Sequence, residues 1–587
     1  MKKKIIIAIL CLTLLCAVFA SCSKKDVAPA ENEKTFAVAT DIHVLANSLL
    51  TEDNIRGYET TDKMIHLTTP IFNTIADKVI AEGHEFMLLC GDLTERGDEP
   101  SHLAVTEILR RMENAGVDVY VINGNHDIMS NEGRKHYSVT QDRFRELYAD
   151  FGYNEADSVL PGTLCYSLPI NDTFRLIAVD NIEYYTDSTQ NVMIEEMPVE
   201  KTEWINEQTE KAKSENRIPL YISHKSFINH WPRLFNLIQD PVLDVYDDVC
   251  GDILSEGAVF GFTGHSHLND IKAYKSSGET YYEIMTGSTC YCQSNYRSVS
   301  YSDKKIDVKT VTLTELNLDT ASPLISADII SAVSADYVTY AEKHFANNIN
   351  NTVKKYINKI LRKFDFGNTE LNSIVKDDVI YKAFSMPLYE KDETAEESLE
   401  KVLKKYGLTL PASNYKTFWD VVPTIVATLI KGNENMRYST EILIGKYVFY
   451  ALFYNIDQNA DRIAACCNSD KSITIDLERL FTEGELECYD SELIPTFVTT
   501  ALSSDISMKM KLVFAAIANN FNNIQLASEG IAGYTNGVVT SIEKYFGEKE
   551  IHIEKLIEEG FCDEYFADLI TDYEPDAREL TIELKHE

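Results

Sequence analysis

Short apolar runs alternate with amphipathic stretches from Thr35 to about Leu316. Short apolar runs predict buried strands, and apolar residues spaced three and four apart predict helices that cover them. The predicted strands are Phe36–Thr40, Phe86–Cys90, Val117–Ile122, Leu176–Val179, Pro219–Ile222, Val259–Phe262, Tyr281–Thr286 and Ile306–Leu316. The predicted helices between them are Thr69–Glu82, Ser101–Ala115 and Met197–Ser214. This alternation is typical of a layered α/β domain.

Strand patterns fade beyond about Ala321, where helical spacing takes over. The predicted helices are Ser331–Phe364, Ala395–Tyr406, Thr440–Asn455, Leu493–Phe521 and Ile551–Asp572. The apolar run from Ile442 to Phe453 is too short to cross a membrane and predicts a buried helix. Because 587 residues exceed what one hydrophobic core organises, we expect an α/β domain over residues 35–320 and a mostly α-helical C-terminal domain over residues 321–587.

The N-terminus predicts export. Three lysines, Lys2 to Lys4, precede an apolar run from Ile5 to Ala20, as in a signal peptide over residues 1–22. The segment from Phe19 to Cys22 resembles a bacterial lipobox, which implies acylation of Cys22; Phe19 departs from that pattern, so simple secretion is the alternative. Residues 23–34 predict a flexible tether. We expect an extracytoplasmic protein of the bacterial cell envelope, anchored to the membrane by a lipid on Cys22.

Charge and cysteine content narrow the range of partners. The formal net charge is -37, which repels nucleic-acid backbones, so a nucleic-acid polymer is not an expected partner. A small anion can still bind to such a chain wherever bound cations dominate the field inside a pocket. The 12 cysteines are scattered without a regular framework, and Cys290 and Cys292 are predicted to be buried apolar residues on a strand. The oligomeric state is left open.

Five short blocks carry the candidate chemistry, and each follows a predicted strand. They supply carboxylate, imidazole and carboxamide donors, a mixture that suits divalent cations such as manganese, iron or zinc. Loops at the ends of strands are where open α/β sheets bind ligands. The blocks are Asp41-Ile42-His43, Gly91-Asp92, Gly124-Asn125-His126-Asp127, Ser223-His224 and Gly264-His265-Ser266-His267.

This donor set fits the hydrolysis of a phosphate ester. Two metal ions held by a bridging carboxylate can share a water, lower its pKa and clamp the phosphoryl oxygens during in-line attack. Asp92 is the candidate bridge. The leaving oxygen needs a proton, and His126, beside Asp127, has the chemistry to supply it.

The five blocks in this order resemble the calcineurin-like metallophosphoesterase superfamily over roughly residues 35–316. The resemblance implies a four-layer αββα sandwich of two mixed β-sheets between helices, with two divalent metal ions (Mn, Fe, Zn or Mg). It implies His126 as general acid and Asp127 as the residue that orients its imidazole. It further implies a first metal held by Asp41, His43, Asp92 and His267, and a second held by Asp92, Asn125, His224 and His265.

Details of the blocks separate branches of the superfamily. Glu95 stands where purple acid phosphatases carry a tyrosine ligand, which disfavours an iron-tyrosinate site. Residues 91–97 resemble protein serine/threonine phosphatases, whose arginine contacts phosphate, but those enzymes lack the paired final histidines. The combination here is more similar to the cyclic-nucleotide phosphodiesterase branch. Arg96 is equally compatible with phosphate contact and with a structural ion pair.

We therefore expect a phosphodiesterase that acts on small extracytoplasmic phosphodiesters of nucleotide or headgroup type, by attack of a metal-bridged hydroxide. The alternatives are a phosphomonoesterase, nucleotidase or protein phosphatase, and a cell-surface binding protein whose helical domain captures a partner. Among the other aromatic and histidine residues, we expect His230 and Trp231 to be a surface histidine and a packed aromatic, or parts of a loop over the site, and Tyr291 and Tyr296 to pack ordinarily or to line the pocket. Solvent-facing positions are predicted for His66, His84, His102 and His136.

Overall fold

A computed structural model describes residues 34–129, 138–185, 193–194, 197–228, 230, 259–276, 279–363, 369–390, 397–405, 407–432, 439–459, 462, 465–466 and 578–584. The predicted signal peptide, the tether apart from Lys34, His136 and Trp231 lie outside these residues, as do the predicted helices Leu493–Phe521 and Ile551–Asp572. Lys34 itself opens the first strand rather than ending the tether.

Two mixed β-sheets form the N-terminal body, as expected. The first has the strand order β15-β14-β13-β1-β2-β3, with β1, β2 and β3 parallel and the other pairs antiparallel. Its strands are β1 (Lys34–Ala39), β2 (Phe86–Cys90), β3 (Asp118–Ile122), β13 (Asn295–Tyr301), β14 (Lys305–Thr312) and β15 (Glu579–Glu583).

The second sheet has the order β11-β12-β10-β9-β6-β5-β4, in which β12, β10, β9 and β6 run parallel. Its strands are β4 (Ser158–Val159), β5 (Tyr166–Pro169), β6 (Phe174–Val179), β9 (Ile218–Ser223), β10 (Phe260–Thr263), β11 (Asp270–Ser276) and β12 (Glu279–Met285). A separate two-stranded ribbon pairs β7 (Tyr184–Tyr185) with β8 (Met193–Ile194).

The two sheets face each other across an aromatic core. Phe36 of β1 lies 5.9 Å from Phe174 of β6 and 6.1 Å from Phe262 of β10, measured between ring centroids. Helices α2 and α3 pack together, α3 contacts β3, and the apolar residues of α2 share the core of the first sheet, while α5 packs on β6 and β9 of the second. These layers confirm the expected sandwich. The helices of this body are α1 (Glu52–Tyr58), α2 (Thr68–Glu82), α3 (Glu99–Asn114), α4 (Gln141–Leu147) and α5 (Val199–Ser214), with short 3-10 turns at Asn47–Leu49 and Ile65–Leu67 and a π turn at Ala149–Tyr153.

The described part of the C-terminal region is helical up to residue 459. The predicted helix Ser331–Phe364 is two helices, because Asp336 adopts an extended conformation and its carboxylate caps the second helix by accepting from the Thr339 amide at 3.0 Å. The helices are α6 (Ala327–Ala335), α7 (Tyr337–Lys363), α8 (Thr369–Ser373), α9 (Lys382–Ser385), α10 (Leu399–Lys404), α11 (Phe418–Lys431) and α12 (Thr440–Gln458), with a π turn at Ile374–Tyr381 between α8 and α9. Among the described residues no helix is both long and apolar enough to cross a membrane.

The chain returns to the first sheet near its C-terminus. Strand β15 pairs antiparallel with β14, and its alternate residues Leu580 and Ile582 are buried in the same core as Phe36. The region 321–587 is therefore not helical throughout, and part of it belongs to the N-terminal sandwich.

The helical region also shares a core with the sandwich. Tyr291 and Met285 of the sandwich lie in one buried cluster with Phe345 and Val421 of the helical region. The two units thus meet beside the loops that follow β10 and β12, which is the side where the candidate ligands lie.

Candidate metal centre

Strained backbone marks the loops that carry the candidate ligands. Within the described part of the chain, seven residues other than glycine have positive φ, and five of these are candidate ligands. L-residues adopt this conformation at a cost that the surrounding structure must over-determine, and such strain is concentrated at functional sites. The five are Asp41, His43, Asp92, His265 and His267.

The four residues expected at the first metal come together and are buried or nearly so. His267 Nε2 lies 3.0 Å from Asp41 Oδ1 and 3.0 Å from His43 Nε2. His43 Nε2 lies 3.7 Å from Asp92 Oδ2. Their donor atoms all lie within 4.8 Å of one another, a spacing that fits one cation.

The residues expected at the second metal also meet. The carboxamide oxygen of Asn125 is 3.0 Å from His224 Nε2 and 3.1 Å from His265 Nδ1. Asp92 Oδ1 is 3.4 Å from His224 Nε2. The residues expected at the first metal are called the first group below, and those expected at the second metal the second group. Since Asp92 presents Oδ2 to the other members of the first group and Oδ1 to those of the second, it stands in the bridging position.

Hydrogen bonds behind the ligands leave suitable atoms facing inward. His224 Nδ1 donates to the main-chain oxygen of Cys90 at 2.9 Å, so its Nε2 is left as an acceptor for a cation. Asp41 Oδ2 accepts from the Thr40 hydroxyl at 2.7 Å and from the His265 amide at 3.0 Å. Asp41 Oδ1 is buried without a well-directed hydrogen bond. A buried carboxylate oxygen that faces imidazoles fits a metal ligand.

Buried charge governs the protonation of the ligands. Burial alone lowers the pKa of His224, but the carboxylates of Asp92 and Asp41 more than offset it and raise that pKa to about 10. Burial and the neighbouring His224 lower the pKa of His265 to about 3. Burial opposes ionisation of Asp92, yet His126 and His224 hold the pKa of that carboxyl well below its usual range. The site is thus a pair of buried carboxylates that positive charge around them keeps ionised.

His126 lies at the rim of both groups. Its Nδ1 donates to the main-chain oxygen of Glu95 at 2.8 Å, and its Nε2 is 3.8 Å from Asp92 Oδ2. A carbonyl oxygen can only accept, so the proton of a neutral ring lies on Nδ1 and Nε2 is directed to the metal ligands. Burial lowers the pKa of His126 well below its ordinary value, so the free ring is neutral.

Asp127 was expected to orient the imidazole of its neighbour His126, but the structure places its carboxylate elsewhere. Its carboxylate accepts from the amides of Leu93 at 3.0 Å, Thr94 at 2.8 Å and Gly124 at 2.8 Å. The Glu95 carbonyl therefore orients the His126 ring. Asp127 instead holds the loop that contains Gly91-Asp92 against the Gly124–Asp127 loop. Burial and the nearby Asp92 raise the pKa of Asp127 to about 7.

Two charged residues at the site were missed by the sequence reasoning. Glu95 Oε2 lies 3.0 Å from His43 Nδ1, behind the ligand, as carboxylates do in many metal sites. Lys63 Nζ lies 3.3 Å from His43 Nε2 and 3.9 Å from Glu95 Oε2. The position of Glu95, three residues after Asp92, could have identified it from the sequence as part of the site. Lys63 belongs to none of the five blocks, and its sequence context did not point to the site.

The predicted surface histidines are buried. His66 Nε2 is 3.1 Å from the Tyr340 hydroxyl, and His84 pairs with Glu82 at 3.0 Å. His102 bonds the Tyr148 hydroxyl and the Asp127 carbonyl, both at 2.9 Å. His230 is 2.6 Å from Asp270 and 3.1 Å from Glu283. These predictions were wrong because each imidazole finds a polar partner that is remote in sequence or outside any recognisable spacing.

The other residues singled out from the sequence differ in whether they contact the candidate metal site. The Tyr291 ring packs 5.1 Å from the His267 ring and so lies beside the first group, whereas the Tyr296 hydroxyl reaches Glu82 away from the site. Arg96 Nε is 3.4 Å from Asp98 Oδ2, which fits its structural alternative. Cys290 and Cys292 are free and buried, but they lie in turns rather than on a strand.

The sequence matches the family model of the calcineurin-like phosphoesterases over residues 34–268. Similar solved structures include a dimetal phosphatase from Danio rerio, with 12% identity, 48% of this chain and 96% of that chain covered, and a TM-score of 0.34. A predicted phosphoesterase from Streptococcus pneumoniae TIGR4 has 13% identity, coverages of 48% and 91%, and a TM-score of 0.21. A purple acid phosphatase from yellow lupin seeds has 10% identity, coverages of 48% and 52%, and a TM-score of 0.31. No curated protein matches the sequence.

Proposed function

We propose that this chain is a binuclear, metal-dependent phosphodiesterase for small phosphodiesters, because residues 34–268 match the family model of the calcineurin-like phosphoesterases. The observation that carries the proposal is the placement of Asp92, with Oδ2 3.7 Å from His43 Nε2 and Oδ1 3.4 Å from His224 Nε2. One carboxylate between two groups of donors is the arrangement that two cations require.

The first group would hold one divalent ion and the second group the other, as their donors indicate. When bound, such ions supply Lewis-acid polarisation of the phosphoryl group and a water of lowered pKa. The chain's own residues fix these ligands: Cys90 orients His224, and Thr40 and the His265 amide orient Asp41. The rigidity of these contacts lets the site meet the substrate without reorganisation.

His126 provides the proton for the leaving oxygen in this proposal. Its Nδ1 is occupied by the Glu95 carbonyl at 2.8 Å, so Nε2 is the atom directed to the substrate. A bound phosphate adds negative charge beside the ring and raises its pKa, since an anion favours the imidazolium. The ring would therefore gain its second proton when the substrate binds, and would then donate it from Nε2.

Phosphomonoester hydrolysis is the second candidate, and Lys63 favours it. A monoester phosphate carries more negative charge than a diester, and Lys63 Nζ adds a cation 3.3 Å from His43. Diester hydrolysis, the first candidate, is supported by the resemblance to the cyclic-nucleotide branch. That resemblance lies in the Gly124–Asp127 block and in the paired histidines of the last block, His265 and His267.

We also propose that the enzyme acts outside the cytoplasm, held at the membrane by a lipid on Cys22. The basic and apolar segments before Cys22 support this proposal. Metabolic labelling with a fatty-acid analogue tests it: label on the wild type and none on Cys22→Ala is expected, and an unlabelled but exported wild type would favour simple secretion.

A binding protein with an independent helical domain is less well supported. The helical region shares a buried cluster with Tyr291, whose ring is 5.1 Å from His267, so it joins the wall of the site. A domain that captured a partner on its own would not need that contact.

The hydrolysis rates of the chain from Ser23 onward, on bis(p-nitrophenyl) phosphate and on p-nitrophenyl phosphate with added manganese, test the proposed function. A higher kcat/KM on the diester supports a phosphodiesterase, and a higher value on the monoester supports the second candidate. Asp92→Asn controls for contaminating activity. Equal rates for the wild type and Asp92→Asn on both substrates would contradict both candidates.

A further inference from the structure

We propose that Lys63 binds the phosphoryl group of the substrate and that helix α7 of the C-terminal region holds it in place. This inference deepens the proposed function and rests on it for the identity of the site. It makes the helical region a structural part of the active site rather than an appended domain.

Lys63 reaches the site from outside the ligand blocks. It lies between α1 and the turn Ile65–Leu67, with its Nζ 3.3 Å from His43 Nε2 and 3.9 Å from Glu95 Oε2. Its side chain is 19% exposed. The ammonium group is therefore directed at the donor atoms of the first group, and the side chain that carries it is partly exposed.

The charge balance around Lys63 favours an anion as its ligand. The ammonium group contacts both Glu95 and His43, an expected metal ligand. A cation on His43 would repel the ammonium group, because two positive charges would then stand a few ångströms apart. A phosphoryl oxygen between the cation and Lys63 removes that repulsion. A compact ammonium group suits such an oxygen, since it binds as a point charge.

The residues on both sides of Lys63 are fixed by hydrogen bonds. Asp62 is buried, and its Oδ1 accepts from the Thr352 hydroxyl of α7 at 2.9 Å while its Oδ2 accepts from the Tyr291 hydroxyl at 3.0 Å. On the other side, the Met64 amide donates to the Cys290 carbonyl at 2.9 Å. Lys63 thus extends from a short segment that is held at both ends.

Helix α7 supplies further contacts to the same segment. The Asn348 carboxamide donates to the Glu59 carbonyl at 2.9 Å. Phe345 is buried and packs against Tyr291 with ring centroids 5.9 Å apart. Tyr291 in turn packs against His267, so one helix contacts both the segment that bears Lys63 and a neighbour of the first group. Displacement of α7 would therefore move the ammonium group.

Lys63→Gln, Lys63→Arg and the control Lys34→Gln in the full chain test the phosphate contact. Lys34 pairs with Glu85 on the surface, far along the sheet from the ligands. The measurements are metal content per chain, the dissociation constant of inorganic phosphate for the manganese-loaded protein, and KM and kcat. Loss of one charge-assisted bond predicts roughly tenfold weaker phosphate binding in Lys63→Gln, with metal content unchanged. Lys63→Arg should recover part of it, and Lys34→Gln should equal the wild type.

Unchanged phosphate affinity in folded Lys63→Gln would overturn the phosphate contact. Tighter metal binding in the same variant would then identify Lys63 as a resident cation that competes with the metal. If the wild type hydrolyses neither ester but binds phosphate through Lys63, the proposed function fails and the Lys63 contact stands.

Thr352→Val tests the part played by α7 and also serves if Lys63→Gln melts below the assay temperature. The matched control is Thr428→Val in α11, whose hydroxyl donates only within its own helix, to the Thr424 carbonyl at 2.8 Å. We expect phosphate binding about threefold weaker in Thr352→Val and unchanged in Thr428→Val, with the same metal content in both. Equal phosphate affinities in the two variants would overturn the role of α7.

Discussion

The main-chain nitrogen of His126 donates a hydrogen bond to Asp92 Oδ1 at 2.7 Å. The expected proton donor and the expected bridging carboxylate are therefore joined through the backbone, not through the imidazole. A change of the His126 side chain should leave Asp92 where it is, whereas a change of Asp92 should disturb both functions.

His126→Ala is expected to lower kcat by about 100-fold to 10,000-fold, the usual contribution of general acid catalysis, while the metal content stays that of the wild type. Steady-state kinetics and elemental analysis of the purified variant check this. Loss of metal together with activity would show instead that the ring is a ligand.

Asp92→Asn is expected to lower hydrolysis by more than about 100-fold and to reduce bound metal, because one neutral carboxamide replaces the charge shared by both groups. The control is Asp118→Asn at the exposed start of β3. Full metal content in Asp92→Asn would argue against a bridging role.

Gly124 lies against the bridge: a Cβ atom at this position would be 2.2 Å from both the nitrogen and Oδ1 of Asp92. Gly124→Ala should lower the free energy of unfolding by about 1–3 kcal/mol through overpacking, and should weaken metal binding because Asp92 must move. Gly57→Ala in α1 meets nothing within 4 Å and should be neutral or stabilising by up to about 1 kcal/mol. Urea unfolding and metal titration distinguish them. Equal stability and metal affinity in the two variants would refute the predicted clash.

The titration of His66, which lies at the contact with α7, makes the free energy of unfolding depend on pH. Burial, and secondarily His344, lower the pKa of His66 to about 3 from an ordinary value of 6.5. Between these values the unfolded chain binds the proton and the folded chain does not, so the His66 contribution is retained above pH 6.5 and lost as the pH falls toward 3. The slope is at most about 1.4 kcal/mol per pH unit.

His66→Gln keeps a side-chain donor toward Tyr340, which lies 3.1 Å from His66 Nε2, and removes this titration. Unfolding free energies of the metal-free protein at pH 7 and pH 5 should therefore fall less in His66→Gln than in the wild type. An identical fall in both proteins would mean that His66 can be protonated in the folded state.

Strand β15 should contribute to the stability of the sandwich. Ile582 is 5% exposed and packs in the main core, so Ile582→Ala is expected to cost about 2–4 kcal/mol. Glu579→Ala, at an exposed position of the same strand, is the control. Equal melting temperatures for the two variants would place β15 outside the cooperative unit.

Much of the fold could be predicted because local patterns determined it. The strand-then-ligand alternation placed Asp41, Asp92 and His224 at strand ends, where the structure has them. The candidate ligands came from the five blocks and from what their resemblance to the calcineurin-like superfamily implies, which needed no long-range information.

The rest depends on contacts between distant parts of the chain. Lys63 and Asp62 show no motif, and Asp62, next to Lys63, is held by partners 290 and 229 residues away in sequence. Strand β15 is five residues of alternating pattern after a long stretch for which the sequence predicts helices, and it is too short to distinguish from a turn of helix. The prediction that several histidines face solvent was wrong for the same reason. His102, for example, is hydrogen-bonded to Tyr148 and to a main-chain oxygen of the ligand loop.

The pairing of β15 with β14 also affects how the protein is made. Asp307 of β14 and Thr581 of β15 contact each other across 274 residues of sequence. At about 5–20 residues per second, a ribosome needs roughly 15–55 seconds to synthesise that interval. Throughout that time the edge of β14 is open to pairing with other chains. The first sheet can therefore be completed only after residues 579–583 have been made, and until then the edge of β14 needs other protection from strand exchange.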